Sequence, residues 1–207
     1  MKTIEFAGYA WEIKDSDGKV GPGPNVFSDD GSGVYVDEEG LHLSLWQQDG
    51  VWKCSEAMLA SPLGYGTYRV SVATPLSVIE KHAVFAAFLY EDDMQEIDIE
   101  VSPAMVGRGL GQFVIQPGSV QGNVLEFPVP QGAATYEIEW KPEEVIFAVY
   151  ESGSEGAIRV ASERYPGPGI MSPDVARFIL NLWLYRGKKA QHEQRVVISD
   201  FSFTPLP

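Results

Sequence analysis

The chain has 207 residues, 44% of them hydrophobic and 12% aromatic, enough apolar material for a sizeable core. Its 29 acidic against 15 basic residues leave a formal charge of -14, which repels phosphate backbones and anionic bilayers and argues against nucleic acid and membrane as partners; a neutral polymer meets no such penalty. Cys54 is the single cysteine, which removes an intrachain disulfide and a Cys-based zinc site, and His42, His82 and His192 are scattered without a motif, so Cys54 reads as a packed thiol.

In chain order, the opening MKTIEFAGYAW has no apolar core of signal-peptide length, and no run of about 18 apolar residues occurs to span a bilayer. The expectation is a soluble chain, cytoplasmic as given and secreted if a leader precedes it. The stretch to Asp30 is rich in Gly and Pro (KVGPGPN) and reads as a wrapping loop. From Val34 onward short runs alternate apolar and polar residues: VYVD, LHLSLW, YRVSVA, VFAAFLY, EIDIEV, GQFVIQ, YEIEW, VIFAVYE, AIRVAS, RFILNLWLY and VVISDFSF. Turn chemistry such as DEEG, QQDG, SPLGYG, QPGS and YPGPG separates them. Apolar spacing of three and four is not sustained, so helix is confined to a turn near Met171 to Ala176. Strands in such succession without helical crossovers must be antiparallel. The expected fold is all-β, an antiparallel sandwich or jelly roll, in one domain over residues 1–207 with no linker or internal repeat.

The stretch QEIDIEVSP carries the chemistry. Side chains of an extended chain alternate faces, so Glu96, Asp98 and Glu100 point one way while Ile97, Ile99 and Val101 point the other. An isolated E-x-D-x-E is more often a solvated strand face than a site. Its neighbours change that balance: VFAAFLYEDDM just upstream and NLWLYRG downstream bring aromatic rings to what would be the same sheet. Sugars stack their C–H faces on aromatic rings and give their hydroxyls to carboxylates and amides, so a carbohydrate groove fits this combination.

The ordered set CSEAM, LGYGTYRV, FAAFLY, EIDIE, YEIEWKPEEVIF, FILNLW and VVISDFSF, spanning residues 25–204, resembles glycoside hydrolase family 16, the lichenase, laminarinase and xyloglucan-modifying group. The resemblance implies a concanavalin-like jelly roll with a concave, substrate-binding sheet. It implies Glu96 as nucleophile, Asp98 as its assistant and Glu100 as acid/base in a retaining, endo-acting hydrolysis of a β-linked polysaccharide or oligosaccharide. The unbulged EIDIE implies a β-1,4-linked or mixed-linkage β-glucan. Retaining glycosidases need two carboxyls roughly 5–5.5 Å apart. Backbones four residues apart on a strand are separated by ~13 Å, which two long glutamates close by leaning together. Like charges so near one another split their titrations, leaving one acid protonated beside an ionised neighbour.

Glu56, Tyr90 and Trp183 are the expected substrate contacts, with Trp183 divided between core and cleft, while Trp140 is expected in the core. The resemblance also implies a structural calcium on an aspartate of the last strand, here Asp200, against the equal alternative of a solvated aspartate; no cofactor is needed for catalysis. A monomer is expected. Three positions depart from the lichenase pattern: Met58 where an arginine follows the C-x-E segment, Asp93-Met94-Gln95 where a tryptophan precedes the acidic strand, and GQFVIQP where asparagine and tyrosine meet the sugar. A non-catalytic carbohydrate-binding module on the same sandwich is the alternative function.

Overall fold

The computed structural model describes residues 2–154, 156–167 and 170–207. Its strands are β1 (Lys2–Phe6), β2 (Tyr9–Ile13), β3 (Val26–Phe27), β4 (Val34–Asp37), β5 (Gly40–Gln48), β6 (Val51–Leu59), β7 (Gly66–Val72) and β8 (Ala83–Asp92) in the first part of the chain. There follow β9 (Gln95–Val101), β10 (Leu110–Ile115), β11 (Val124–Pro128), β12 (Ala134–Lys141), β13 (Glu144–Gly153), β14 (Gly156–Pro166), β15 (Arg177–Leu184) and β16 (Gln194–Pro205). One layer runs β11-β10-β9-β8-β15-β6, with β2 and then β1 beyond β6; the other runs β5-β16-β7-β12-β13-β14, with β4 on the free side of β5. The β5–β6 hairpin joins them, because the start of β6 pairs with β5 while Ser55 to Met58 pair with β15. All pairings between strands are antiparallel except the short β3–β6 contact. The chain is an antiparallel β-sandwich of the jelly-roll kind.

The segment before Asp30 is more ordered than a wrapping loop. Ala7 and Gly8 both adopt positive φ (54° and 81°), the twist that closes a two-residue hairpin, and Trp11 and Ile13 drop into the core from β2. Five-residue strands are too short for their alternation to stand out. β6 escapes a period-two reading for another reason: its middle, Cys54 to Ala57, is buried on both faces as it passes between layers. At Met171 to Ala176 there is a single turn, in which Ser172 O accepts from the N–H groups of Val175 and Ala176. Helix among the described residues is limited to two 3-10 turns, Leu76–Val78 and Tyr185–Gly187. Among the described residues no helix is long and apolar enough to cross a membrane.

One apolar cluster fills the space between the layers, with Trp11, Phe27, Tyr68, Trp140, Phe178 and Phe201 among its largest members. Phe113 of β10 stacks on Phe127 of β11 at 4.4 Å and on Phe147 of β13 at 4.8 Å, riveting one layer to the other beside the acidic strand. Ile97, Ile99 and Val101 enter this cluster from β9. Each such side chain contributes about 1.5–3 kcal/mol on burial, and a one-residue slip of β9 would expose all three. The burial that holds the isoleucines inward therefore aims the three acids outward.

Candidate active site

β9 lies between β8 and β10, and the pairing register sets what each acid faces. Glu96 is opposite Tyr90, Asp98 is opposite Phe88 and Val114, and Glu100 is opposite Ala86 and Gln112. The Glu100 row continues across the sheet through Asn181 of β15 to Glu56 of β6. Beyond β2, Lys14 donates its backbone N–H to Glu56 O at 3.0 Å, completing the row. The three acids, with Tyr90, Phe88, Ala86, Asn181, Glu56, Lys14, Trp183, Asp93, Ile179 and the Gly21-Pro22 segment, line a cleft of about 430 Å³.

Its floor is acidic and largely dry. Asp98 is buried, and its pKa is driven well above the carboxylate range first by that burial, then by the charge of Glu96, a hydrogen bond to it, and the charge of Glu100. Burial likewise raises Glu96, with Asp93 and Glu56 adding their charges, while the hydrogen bond from Asp98 works in the opposite direction. Burial and neighbouring charge thus favour the protonated form of Asp98, the hydrogen-bond partner of Glu96. Glu100 is pushed up to about 7 by burial, with Glu96 contributing; the bond donated by Gln112 Nε2 to Glu100 Oε2 at 2.6 Å restrains the rise. Near neutrality Glu100 can thus give or take a proton, with Asp98 between it and Glu96 on the strand.

The cleft walls are equally specific. Tyr90 donates its hydroxyl to Asp93 Oδ1 at 2.9 Å, and its own pKa is raised to about 12 by burial and by this bond. Phe88 and Tyr90 meet edge to face, 6.3 Å between centroids. Glu56 is held at both oxygens: Lys14 Nζ lies 3.0 Å from Oε1 and Asn181 Nδ2 donates to Oε2 at 3.3 Å.

No protein-family model and no curated protein matches the sequence. The structure, in contrast, is similar to solved glucanases. A Bacillus licheniformis β-glucanase superposes with a TM-score of 0.70 at 18% identity, over 95% of this chain and 92% of that one. A prokaryotic β-1,3-1,4-glucanase (lichenase) from a mouse hindgut metagenome gives 0.67 at 18% identity, over 95% and 93%. A glycoside hydrolase family 16 endo-glucanase from Bacteroides ovatus gives 0.67 at 11% identity, over 94% of each chain. The fold is that of glycoside hydrolase family 16.

On this family 16 fold, the structure brings Glu96, Asp98, Glu100, Glu56, Tyr90 and Trp183 to one cleft. Trp183 both lines it and packs against the core, while Trp140 is buried against Tyr65. Asp200 lies apart, exposed on β16 where that strand's register with β7 shifts. It presents a single carboxylate, so backbone carbonyls and water would have to supply most of the six to eight oxygens calcium takes. The described residues place three metal-capable side chains together elsewhere, Asp37, Glu39 and His42 at the β4–β5 turn, a group that excludes Asp200.

Four polar residues in or directly behind the cleft are not identified by the sequence. Asn181 stands inside the FILNLW stretch two places before Trp183, so its signal was present. Gln112 was visible only as a departure in GQFVIQP, yet it is the direct partner of Glu100. Asp93 was visible only as part of a replaced tryptophan. Lys14 had no signal, since it follows a hairpin that alternation did not reveal. Met58, at the expected arginine position, packs with Phe88, Ala86 and Ile179.

Proposed function

We propose that this protein is a retaining, endo-acting glycoside hydrolase on a β-linked glucan. The observation that carries the reading is the placement of three carboxyls on one face of β9 along the cleft floor, Asp98 buried between Glu96 and Glu100, with burial and neighbouring charge raising all three and Glu100 pushed up to about 7. In the first step Glu96 attacks the anomeric carbon, the glycosidic C–O bond breaks, and Glu100 gives its proton to the leaving oxygen. In the second, Glu100 takes a proton from water, the water oxygen attacks the same carbon, and the Glu96 ester is released. Asp98 steadies the Glu96 anion by hydrogen bonding and prevents three charges from collecting on one strand.

Substrate class follows from the lining. Tyr90 and Trp183 offer faces for sugar stacking, Glu56 and Asn181 take hydroxyls, and the acids favour an uncharged polymer. A similar family 16 protein from Bacteroides ovatus is known in complex with a G4G4G3G product, which supports an oligoglucoside in a cleft of this fold. The test is reducing-end release from a panel of β-glucans and galactans by wild type and Glu96→Gln. Wild type is expected to cleave at least one β-glucan internally, and Glu96→Gln to bind that glucan without turnover. Equal binding by both, with no reducing ends from any polymer, replaces the enzyme by a carbohydrate-binding module.

A further inference from the structure

Among the described residues, Lys14 is the one basic side chain lining the cleft, which it shares with Glu56, Asp93, Glu96, Asp98 and Glu100. Its ammonium is committed on three sides: to Gly21 O at 2.9 Å, to Glu56 Oε1 at 3.0 Å, and over the Phe27 ring at 4.5 Å. The loop it ties down is anchored again by Asn25, whose Nδ2 donates to Pro22 O and Leu184 O. A cation so fully engaged is not offered to a ligand. What it organises is the far end of the Glu100 row.

There, Asn181 gives its Nδ2 to Glu56 Oε2, while its Oδ1 is buried and has no hydrogen-bond partner among the described residues. An unpaired buried acceptor is costly unless a donor arrives. A sugar hydroxyl is both donor and acceptor, so one hydroxyl can satisfy Asn181 and a Glu56 oxygen together. Glu56 also acts on the chemistry, since its negative charge is among those that oppose ionisation of Glu96.

We propose that Lys14 is a positioning residue that locks Glu56 in the orientation from which Glu56 and Asn181 receive a glycan hydroxyl, and that it shields Glu96 from the Glu56 charge. This rests on the glycosidase reading of the cleft. The groups facing Glu96 are Tyr90 and Asp93 from β8 and its turn, Asp98 and Glu100 on its own strand, and Glu56 from β6. β15 and β10 present the uncharged Asn181, Trp183 and Gln112. Removing Lys14 leaves Glu56 unshielded, so Glu96 becomes harder to ionise and the acid limb of the rate profile moves to higher pH. Removing the Glu56 charge moves it the other way.

The experiment compares wild type, Lys14→Met, Lys14→Arg and Glu56→Gln on the β-glucan wild type cleaves best, across pH. Carboxyl NMR titration of Glu96 in each protein accompanies the kinetics. Lys14→Met is expected to raise KM about tenfold, the scale of one charge-assisted hydrogen bond, with plateau kcat within about twofold. Its acid limb should shift upward, Lys14→Arg should restore both readings, and Glu56→Gln should shift the limb downward. An unmoved acid limb in Lys14→Met, or Lys14→Arg as impaired as Lys14→Met, overturns the proposal. Should Lys14→Met not fold, the opposite displacement in Glu56→Gln still decides the electrostatic half: a limb that stays put refutes it. Absence of turnover by wild type on every polymer defeats the glycosidase reading separately, and the NMR midpoints of Glu96 then test Lys14 without activity.

Discussion

Glu100→Gln should make the folded protein more stable at alkaline pH and leave it nearly unchanged in acid. Burial raises the folded-state pKa of Glu100 from its ordinary 4.5 to about 7. A carboxyl raised in this way holds its proton more tightly folded than unfolded, so its favourable contribution is complete below about pH 4.5 and is lost as pH rises through about 7. The difference corresponds to roughly 3 kcal/mol by which the ionised carboxylate disfavours the fold above neutrality. Glutamine has the same shape, carries no charge, and its amide oxygen can accept the bond that Gln112 Nε2 now donates. With each kcal/mol worth about 2–4 °C in a chain of this size, and part of the gain shared with Asp98 and Glu96, Tm at pH 8.5 should rise by about 5 °C. The assay is differential scanning calorimetry of wild type and Glu100→Gln from pH 4 to 9. Equal effects at both extremes, or destabilisation at pH 8.5, would show that the ionised Glu100 is not strained by its surroundings and would remove the physical basis for its acid/base role.

Four other outcomes follow from the same geometry. The first product released should keep its anomeric configuration, which proton NMR of early hydrolysis reads directly; inversion would require a carboxyl separation of about 6.5–9.5 Å and refute the double displacement. Activity should fall as pH rises through about 7, when Glu100 loses its proton, and that limb should vanish in Glu100→Gln assayed on substrates with good leaving groups. Cys54, whose buried thiol is pushed up to about 12, should resist alkylation at pH 8 until the protein unfolds; rapid native labelling would contradict its packing. With calcium held at Asp200, excess chelator should lower Tm, and an unchanged Tm removes the ion from the account.

Strand alternation made most of the sandwich legible, and the reason is physical: from Val34 to Phe203 most strands have one face in the core and one outside it. β11 keeps that asymmetry but is only five residues long with one fully buried side chain, Phe127, and the other elements that escaped lack it. β6 is enclosed on both sides as it changes layer, β3 is two residues long, and the β1–β2 hairpin turns on a dipeptide, Ala7-Gly8, whose positive φ at alanine is uncommon. The site divided along the same line. Glu96, Asp98 and Glu100 sit on one strand and their spacing is written in the chain. Lys14, Glu56, Asn181 and Gln112 come from separate stretches, and only the pairing register sets them in one row.

The positions of β15 and β16 reach beyond the site. β15 sits between β8 and β6, and β16 between β5 and β7, so each layer keeps an open slot in its middle that is filled from residues 177–205. A chain emerging from the ribosome can pair β8 with β9 and β12 with β13 early, but neither layer can close until β15 and β16 arrive, and the pairs they make lie 87 to 157 residues apart in sequence. During that interval the apolar flanks of β5, β6, β7 and β8 wait for partners. Both halves of the sandwich should therefore set at nearly the same moment, once residues 177–205 have emerged, and a ribosome stalled before residue 177 should hold a protease-sensitive chain whose cleft floor, though its three acids have long been translated, has not yet been built.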